Sequence, residues 1–366
     1  MGESAFREKI LEIFNSNQVP YLDVIVYKDG KEKARFISDN ATGKEVLQMY
    51  SMSKICTVVC TLRLIEKGLL NLDDKVEKFY PCFKDTFYIK DGKKVKNQTP
   101  ITVWHLLTMT SGLDYDIFKP EIKAVQEKLG DEATVHDFIP AFIKAPLMFE
   151  PGTDFEYGVS HDVLLGIIEK VVNKPFCEHI KEELFIPLEM HTATFENNVD
   201  NVYPKFMCTV DKKVVKTDSS NIFILSKNYI CGGAGLKCSL EDHAKLINAL
   251  TNDGLSKNGY RVLEKATVDM LCTKQLNNEF VRRSFYWQGT DYGYGLGVRV
   301  REKESDLGLP IGEFGWDGAC GQFWLSDREN RVSVLVGMNV FSWEKKFLGI
   351  HAKIVDAVYK NLDVKN

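Results

Sequence analysis

The sequence predicts an α+β fold in which both ends of the chain share one antiparallel sheet and a mostly helical segment is inserted between them. Three observations carry this. Strand patterns occur near the N-terminus and return only after about residue 285. Helical patterns dominate from Val76 to about Phe223. Each terminus carries an amphipathic stretch able to cover a sheet. Of the 366 residues, 44% are hydrophobic and 27% charged, which supports a large core. The 47 basic and 51 acidic residues leave a net charge of −4. That balance points away from a nucleic-acid or anionic-membrane partner.

At the N-terminus, Phe6, Ile10, Ile13 and Phe14 recur at helical spacing over residues 4–14. Residues 21–27 read as a strand, Asp29-Gly30 as a tight turn and 34–37 as the return strand. Over residues 51–67, Ile55, Val58, Val59, Leu62 and Ile65 repeat at three and four, with Gly68 as the C-terminal cap. The lysines around Asp91-Gly92 mark a solvated loop or small hairpin. Further helices are expected at 101–109, 134–144, 160–172 and 176–184. Strands follow at 293–300, 313–319, 322–326 and 331–341, with a turn at 327–330, before a final helix at 345–361. The expected division is a sheet domain of residues 1–75 and 285–366 and a mostly helical domain of residues 76–284. Ligand sites favour such a junction.

The longest apolar run, 332–341, is roughly ten residues and falls short of a membrane span. The N-terminus lacks a basic region followed by an apolar block, and Phe6 stands where myristoylation requires Ser or Thr. The nine cysteines form no disulfide framework and sit mostly in apolar runs. A cytoplasmic protein with free buried thiols is the expectation.

Ser51-Met52-Ser53-Lys54 places a hydroxyl and an ammonium three residues apart at a helix start. A serine hydroxyl needs a neighbouring base to act as nucleophile, and the helix start offers N–H groups to an oxyanion. The bland reading of Ser51 is an N-cap. Ser342-Trp343-Glu344-Lys345 has the same spacing before the last helix and reads as a decoy with a capping serine. The seven histidines offer no Gly-x-Ser-x-Gly partner and no His-Glu-x-x-His pair, so a Ser-His-Asp triad and a metal centre are not expected. His161 is expected on a helix surface, and Cys320 as a small buried thiol.

Several segments accompany the first copy. Residues 50–81 include the run Gly68-Leu69-Leu70-Asn71-Leu72-Asp73-Asp74. Then come Leu106-Leu107-Thr108-Met109-Thr110-Ser111-Gly112-Leu113, Pro151-Gly152-Thr153-Asp154-Phe155-Glu156-Tyr157, Gly232-Gly233-Ala234-Gly235-Leu236 and Tyr294-Gly295-Leu296-Gly297. In order and spacing, over about residues 20–340, the chain resembles the serine beta-lactamase and penicillin-binding-protein superfamily. The likeness is nearest its class C-like and carboxylesterase-like branches.

The resemblance implies a serine beta-lactamase-like fold, Ser51 as nucleophile, and Lys54 with Tyr157 as one base unit. It also implies an oxyanion hole from the Ser51 and Ala319 N–H groups, and a substrate-binding strand end at Trp316, Asp317 and Gly318. Two departures stand out. Gly158 and Val159 replace the Asn that often follows the tyrosine, leaving Asp162 as a partial substitute or merely a first-turn acid. Trp316 stands where relatives carry Lys or His, either against substrate or packed as a core aromatic.

The implied activity is hydrolysis of carboxylic esters or small amides through an acyl-enzyme, with no cofactor and a small molecule as partner. The alternatives are beta-lactam hydrolysis or D-amino-acid peptide cleavage, and a non-catalytic binder or scaffold. Without a cation at Trp316, neutral esters are expected to outrun anionic beta-lactams, unless Arg299 supplies the charge from the neighbouring strand.

Overall fold

A computed structural model describes residues 2–276 and 291–365; the expected domain boundary at 284/285 lies outside the described residues. Helix α1 (Glu3–Asn17) buries Phe6, Ile10 and Ile13, the spacing read in the sequence. Strands β1 (Asp23–Lys28) and β2 (Lys31–Ile37) form a hairpin through Asp29 and Gly30, both at positive φ. A short β3 (Val46–Gln48) leads through a 3-10 turn, Tyr50–Ser53, into α2 (Lys54–Glu66). Gly68, at φ +68°, donates its N–H to the Ile65 carbonyl and closes α2 as expected.

The lysine-rich stretch forms a small hairpin of β4 (Phe87–Lys90) and β5 (Lys93–Lys96). Four helices follow near their expected places: α3 (Val103–Leu107), then, after α4 (Pro120–Leu129), α5 (Val135–Phe142), α6 (Ser160–Val172) and α7 (Phe176–Ile180). Helix α7 runs into a π-helical turn, Lys181–Phe185. Strands β6 (Lys205–Cys208), β7 (Val214–Thr217) and β8 (Lys237–Ser239) precede α8 (Leu240–Thr251) and α9 (Lys265–Leu271).

The C-terminal part holds β9 (Tyr292–Tyr294), β10 (Arg299–Arg301), β11 (Phe314–Asp317), β12 (Phe323–Asp327), β13 (Val332–Gly337) and β14 (Val340–Phe341). It ends in α10 (Glu344–Phe347) and α11 (Ile350–Asn361). The main sheet has the order β2-β1-β13-β12-β11-β10-β9 with antiparallel neighbours, so the chain ends meet where β1 pairs with β13.

Alternation along the strands gives the sheet two apolar faces. Val24, Val26, Leu325 and Val334 pack against Phe6 and Ile10 of α1 and Ile354 and Val358 of α11. Ile25, Trp324, Leu335 and Trp316 join the larger core with α2, α6 and α8. Helix α8 lies against β1, β12 and β13.

Three local expectations are corrected. The single strand at 293–300 is two strands, because Gly297 takes φ +77° and the Gly295 N–H donates to the Val298 carbonyl. A Cβ on Gly297 would also come within 2.5 Å of Val58 on α2. The strand at 331–341 breaks after Gly337, and β14 pairs in parallel with β6 in a separate small sheet. Asn339 ties this crossing by donating to the Tyr203 and Pro204 carbonyls. Gly349, at φ +85°, splits the final helix in two. Helices α4, α8 and α9 fall outside the expected set. Two of them carried readable starts: Pro120 in the first turn of α4, and Ser239 accepting from the Asp242 N–H on α8.

Candidate active site

Ser51 lies in the 3-10 turn before α2, half-buried. The residue before it, the buried Tyr50, is held at φ +46°, a conformation that costs energy for a non-glycine residue. The surroundings hold this turn in place. Pairing of β3 with β8 brings the glycine-rich stretch alongside. The Met49 N–H donates to the Leu236 carbonyl, and the Leu236 N–H donates to Ser53 Oγ, each at 2.9 Å.

Lys54 is fully buried one helical turn beyond Ser51. Its Nζ donates to Ser51 Oγ at 3.2 Å, to Tyr115 Oη at 2.8 Å and to the Gly233 carbonyl at 2.8 Å. It also stands 4.6 Å from the centroid of the Tyr157 ring. A Cβ on Gly233 would sit 2.9 Å from Tyr115 Oη and 3.3 Å from both Lys54 Nζ and Asp162 Oδ2. Glycine is needed there because three side-chain groups converge on its Cα.

Tyr157 therefore meets Lys54 with its ring, and the phenol bonded to Lys54 belongs to Tyr115. Sequence reasoning passed over Tyr115, although it follows the Ser111-Gly112-Leu113 segment by two residues. Burial first, then Tyr157 and Asp162, push its phenol well above the ordinary range, so it stays protonated. The two tyrosine rings meet edge to face at 5.4 Å. Trp316, 3% exposed, donates its Nε1–H to Tyr157 Oη at 3.0 Å. Its indole is thus a wall and an orienting donor for Tyr157.

Asp317 does not face the cleft, which corrects its expected substrate role. Successive residues on β11 point to opposite faces, so Trp316 inward sends Asp317 outward, where it meets Arg299 Nη1 at 3.3 Å. Arg299 is buried on that same outer face, between Asp317 and Glu313 and above the Phe323 ring. It brings no charge to the cleft. Gly318 allows the end of β11 to approach the Ser51 turn, since a Cβ there would fall 2.8 Å from the Met49 carbonyl. Ala319 follows, half-buried, and its N–H makes no hydrogen bond among the described residues.

Asp162 is 1% exposed and lies behind Lys54, beside Cys231 and Tyr229, away from the cleft surface. Burial pushes its carboxyl above the usual range, with the Cys231 thiol and the Lys54 charge pulling the other way. Ser160 does not cap α6, and its Oγ is shared with Ser111 Oγ at 2.9 Å. His161 is buried, which corrects its expected surface position. Burial and the Lys54 charge hold its imidazole well below the ordinary range, so it is neutral. Ser342 keeps its φ at +59°, caps nothing with its side chain, and its Lys345 is exposed. Burial pushes the Cys320 thiol up to about 12. No helix among the described residues is long and apolar enough to cross a membrane.

The Beta-lactamase family model matches residues 6–359. Acyltransferase calJ of Penicillium decumbens is 26% identical over 323 residues, 79% of this chain and 74% of that protein. Esterase EstB of Burkholderia gladioli is 25% identical over 360 residues, 89% of this chain and 86% of EstB. Among solved structures, EstCE1, a hydrolase with promiscuous acyltransferase activity, superposes with a TM-score of 0.81 at 22% identity, covering 98% of this chain and 99% of that one. The expected serine beta-lactamase-like α+β fold is the fold found.

Proposed function

The chain belongs to the beta-lactamase family, and from that premise we propose that it is a serine hydrolase of carboxylic esters or small amides. The observation that carries this is the placing of Lys54 Nζ between Ser51 Oγ and Tyr115 Oη, in a strained and pinned turn. Ser51 Oγ attacks the substrate carbonyl carbon, and its proton passes to the base unit of Lys54 and Tyr157.

The two tyrosines divide the work by environment. Tyr115 remains a neutral phenol that fixes Lys54. Tyr157 is the second member of the base unit, with the Trp316 N–H on its oxygen and Lys54 Nζ 4.6 Å from its ring centroid. The tetrahedral oxyanion lies between the N–H groups of Ser51 and Ala319. The leaving alkoxide or amine takes the proton as its bond to carbon breaks, which leaves an acyl-Ser51 ester. Water, activated by the same pair, releases the acid. An alcohol in place of water would make the reaction an acyl transfer, and relatives named as esterase and as acyltransferase stand on either side of that choice. The scheme asks for no cofactor. The cleft in this reading lies where the sheet segments, 1–75 and 285–366, meet the segment 76–284, whose α8 covers the sheet.

A serine-directed fluorophosphonate tests the proposal. One adduct is expected by intact mass, mapped to the peptide holding Ser51 and lost in Ser51→Ala together with p-nitrophenyl acetate turnover. An adduct on Ser342, or turnover undiminished by Ser51→Ala, sinks the assignment. Absence of both labelling and turnover favours the scaffold reading. Nitrocefin turnover matching that of simple esters favours the beta-lactamase one.

A further inference from the structure

A second lysine lies against Tyr50, the residue before Ser51, from an unexpected element. Lys205, on β6, donates from Nζ to Tyr50 Oη at 3.1 Å and to the Ser220 carbonyl at 3.2 Å. Both acceptors are neutral, and among the described residues no carboxylate pairs with this ammonium. One of its three N–H groups is left for a ligand. Tyr50 immediately precedes Ser51. Cys320, whose thiol is also near Lys205, immediately follows Ala319. Lys205 thus meets the chain neighbour of each residue of the proposed oxyanion site.

The Tyr50 and Phe341 rings lie 5.8 and 5.9 Å from its Nζ. A row of rings, Tyr50 to Phe223 to Tyr115 to Tyr157, connects this end of the cleft to Lys54. A half-buried ammonium on neutral acceptors is costly, and burial pulls Lys205 below the ordinary lysine range. An anionic ligand removes that cost.

We propose that Lys205 selects substrates that carry a carboxylate near the scissile carbonyl, by pairing with it at the end of the aromatic row. The inference rests on the hydrolase reading above. With Trp316 in place of Lys or His, a cleft without a cation would favour neutral esters. Lys205 changes that premise from a strand distant in sequence, whereas Arg299 is occupied on the other face of the sheet.

Two matched pairs of substrates test this and separate the side on which the carboxylate lies. Mono-p-nitrophenyl glutarate against p-nitrophenyl valerate places it on the acyl side. 3-Carboxyphenyl acetate against phenyl acetate places it on the leaving side. The anionic-to-neutral ratio of kcat/KM is expected to fall about tenfold in Lys205→Met for at least one pair, the worth of a charge-assisted contact. Lys205→Arg is expected to restore it. A structural tether alone lowers the rates of both partners together and leaves the ratios unchanged. If the neutral esters are turned over while both ratios stay within about twofold of wild type in Lys205→Met, the inference is overturned. If no ester is turned over and Ser51 is not labelled, the hydrolase reading has failed and takes the inference with it. Should Lys205→Met not fold, Lys205→Gln gives the same comparison.

Discussion

Lys54 touches Ser51, Tyr115 and Tyr157, and changes in this cluster should fail in distinct ways. Lys54→Ala and Tyr157→Phe are each expected to lose about a hundredfold in kcat, the scale of general base catalysis. The double variant should be little worse than the poorer single one, because both residues serve one transfer. Losses that multiply in full would show that they act independently. Tyr115→Phe keeps the ring but removes the acceptor for Lys54 Nζ, so a loss of about tenfold is expected, the worth of one hydrogen bond to a charged group. If Tyr115→Phe proves the more damaging change, the two tyrosines have exchanged roles. Ser51 and Lys54 were legible as a pair because they lie three residues apart on one turn. Tyr115 and Lys205 were not, because their distance from the site is set by loops whose course no local pattern encodes. Asp317 was misread, although its neighbour Trp316 and the alternation of a strand together fix its direction.

Helix α8 shows how an element away from the reaction supports it. His243 is buried on α8 and its Nε2–H donates to the Met52 carbonyl at 3.2 Å, in the turn that carries Ser51. Burial lowers this imidazole from 6.5 to about 4. Between those values the unfolded chain binds a proton that the folded protein refuses, so stability falls as the pH drops through the window. At pH 5 the loss from this one group is about 2 kcal/mol. Urea midpoints at pH 7 and pH 5 are expected to differ more in the wild type than in His243→Gln. Equal differences would show that the group does not resist protonation. The start of α8 was readable from Ser239 and Asp242, yet the helix was passed over. Its role as a cover for β1, β12 and β13 depends on one strand more than 200 residues earlier in the chain and on two strands about 70 to 100 residues later.

The sheet separates two faces that should respond differently to mutation. Ile354 on α11 is buried against the face away from Ser51. Ile354→Ala is expected to cost about 2–5 kcal/mol in urea unfolding, the range for emptying a buried isoleucine site. KM for a simple ester should not change, because the seven strands lie between this residue and the cleft. A raised KM with unaltered stability would mean that the two faces communicate.

The sequence by itself determined the fold class, the joining of the chain ends in one sheet, and the Ser51–Lys54 pair. Hydrophobic period, turn residues and helical spacing are local properties, and short-range sterics convert them into structure before any tertiary contact forms. Only the tertiary structure decided which phenol bonds to Lys54, that Asp162 and His161 are buried, and that Lys205 lies against the tyrosine before Ser51. These depend on the meeting of segments far apart in sequence, such as Tyr115 and Lys205 with the Ser51 turn. Burial, which sets the protonation of each such group, exists only once that packing is complete.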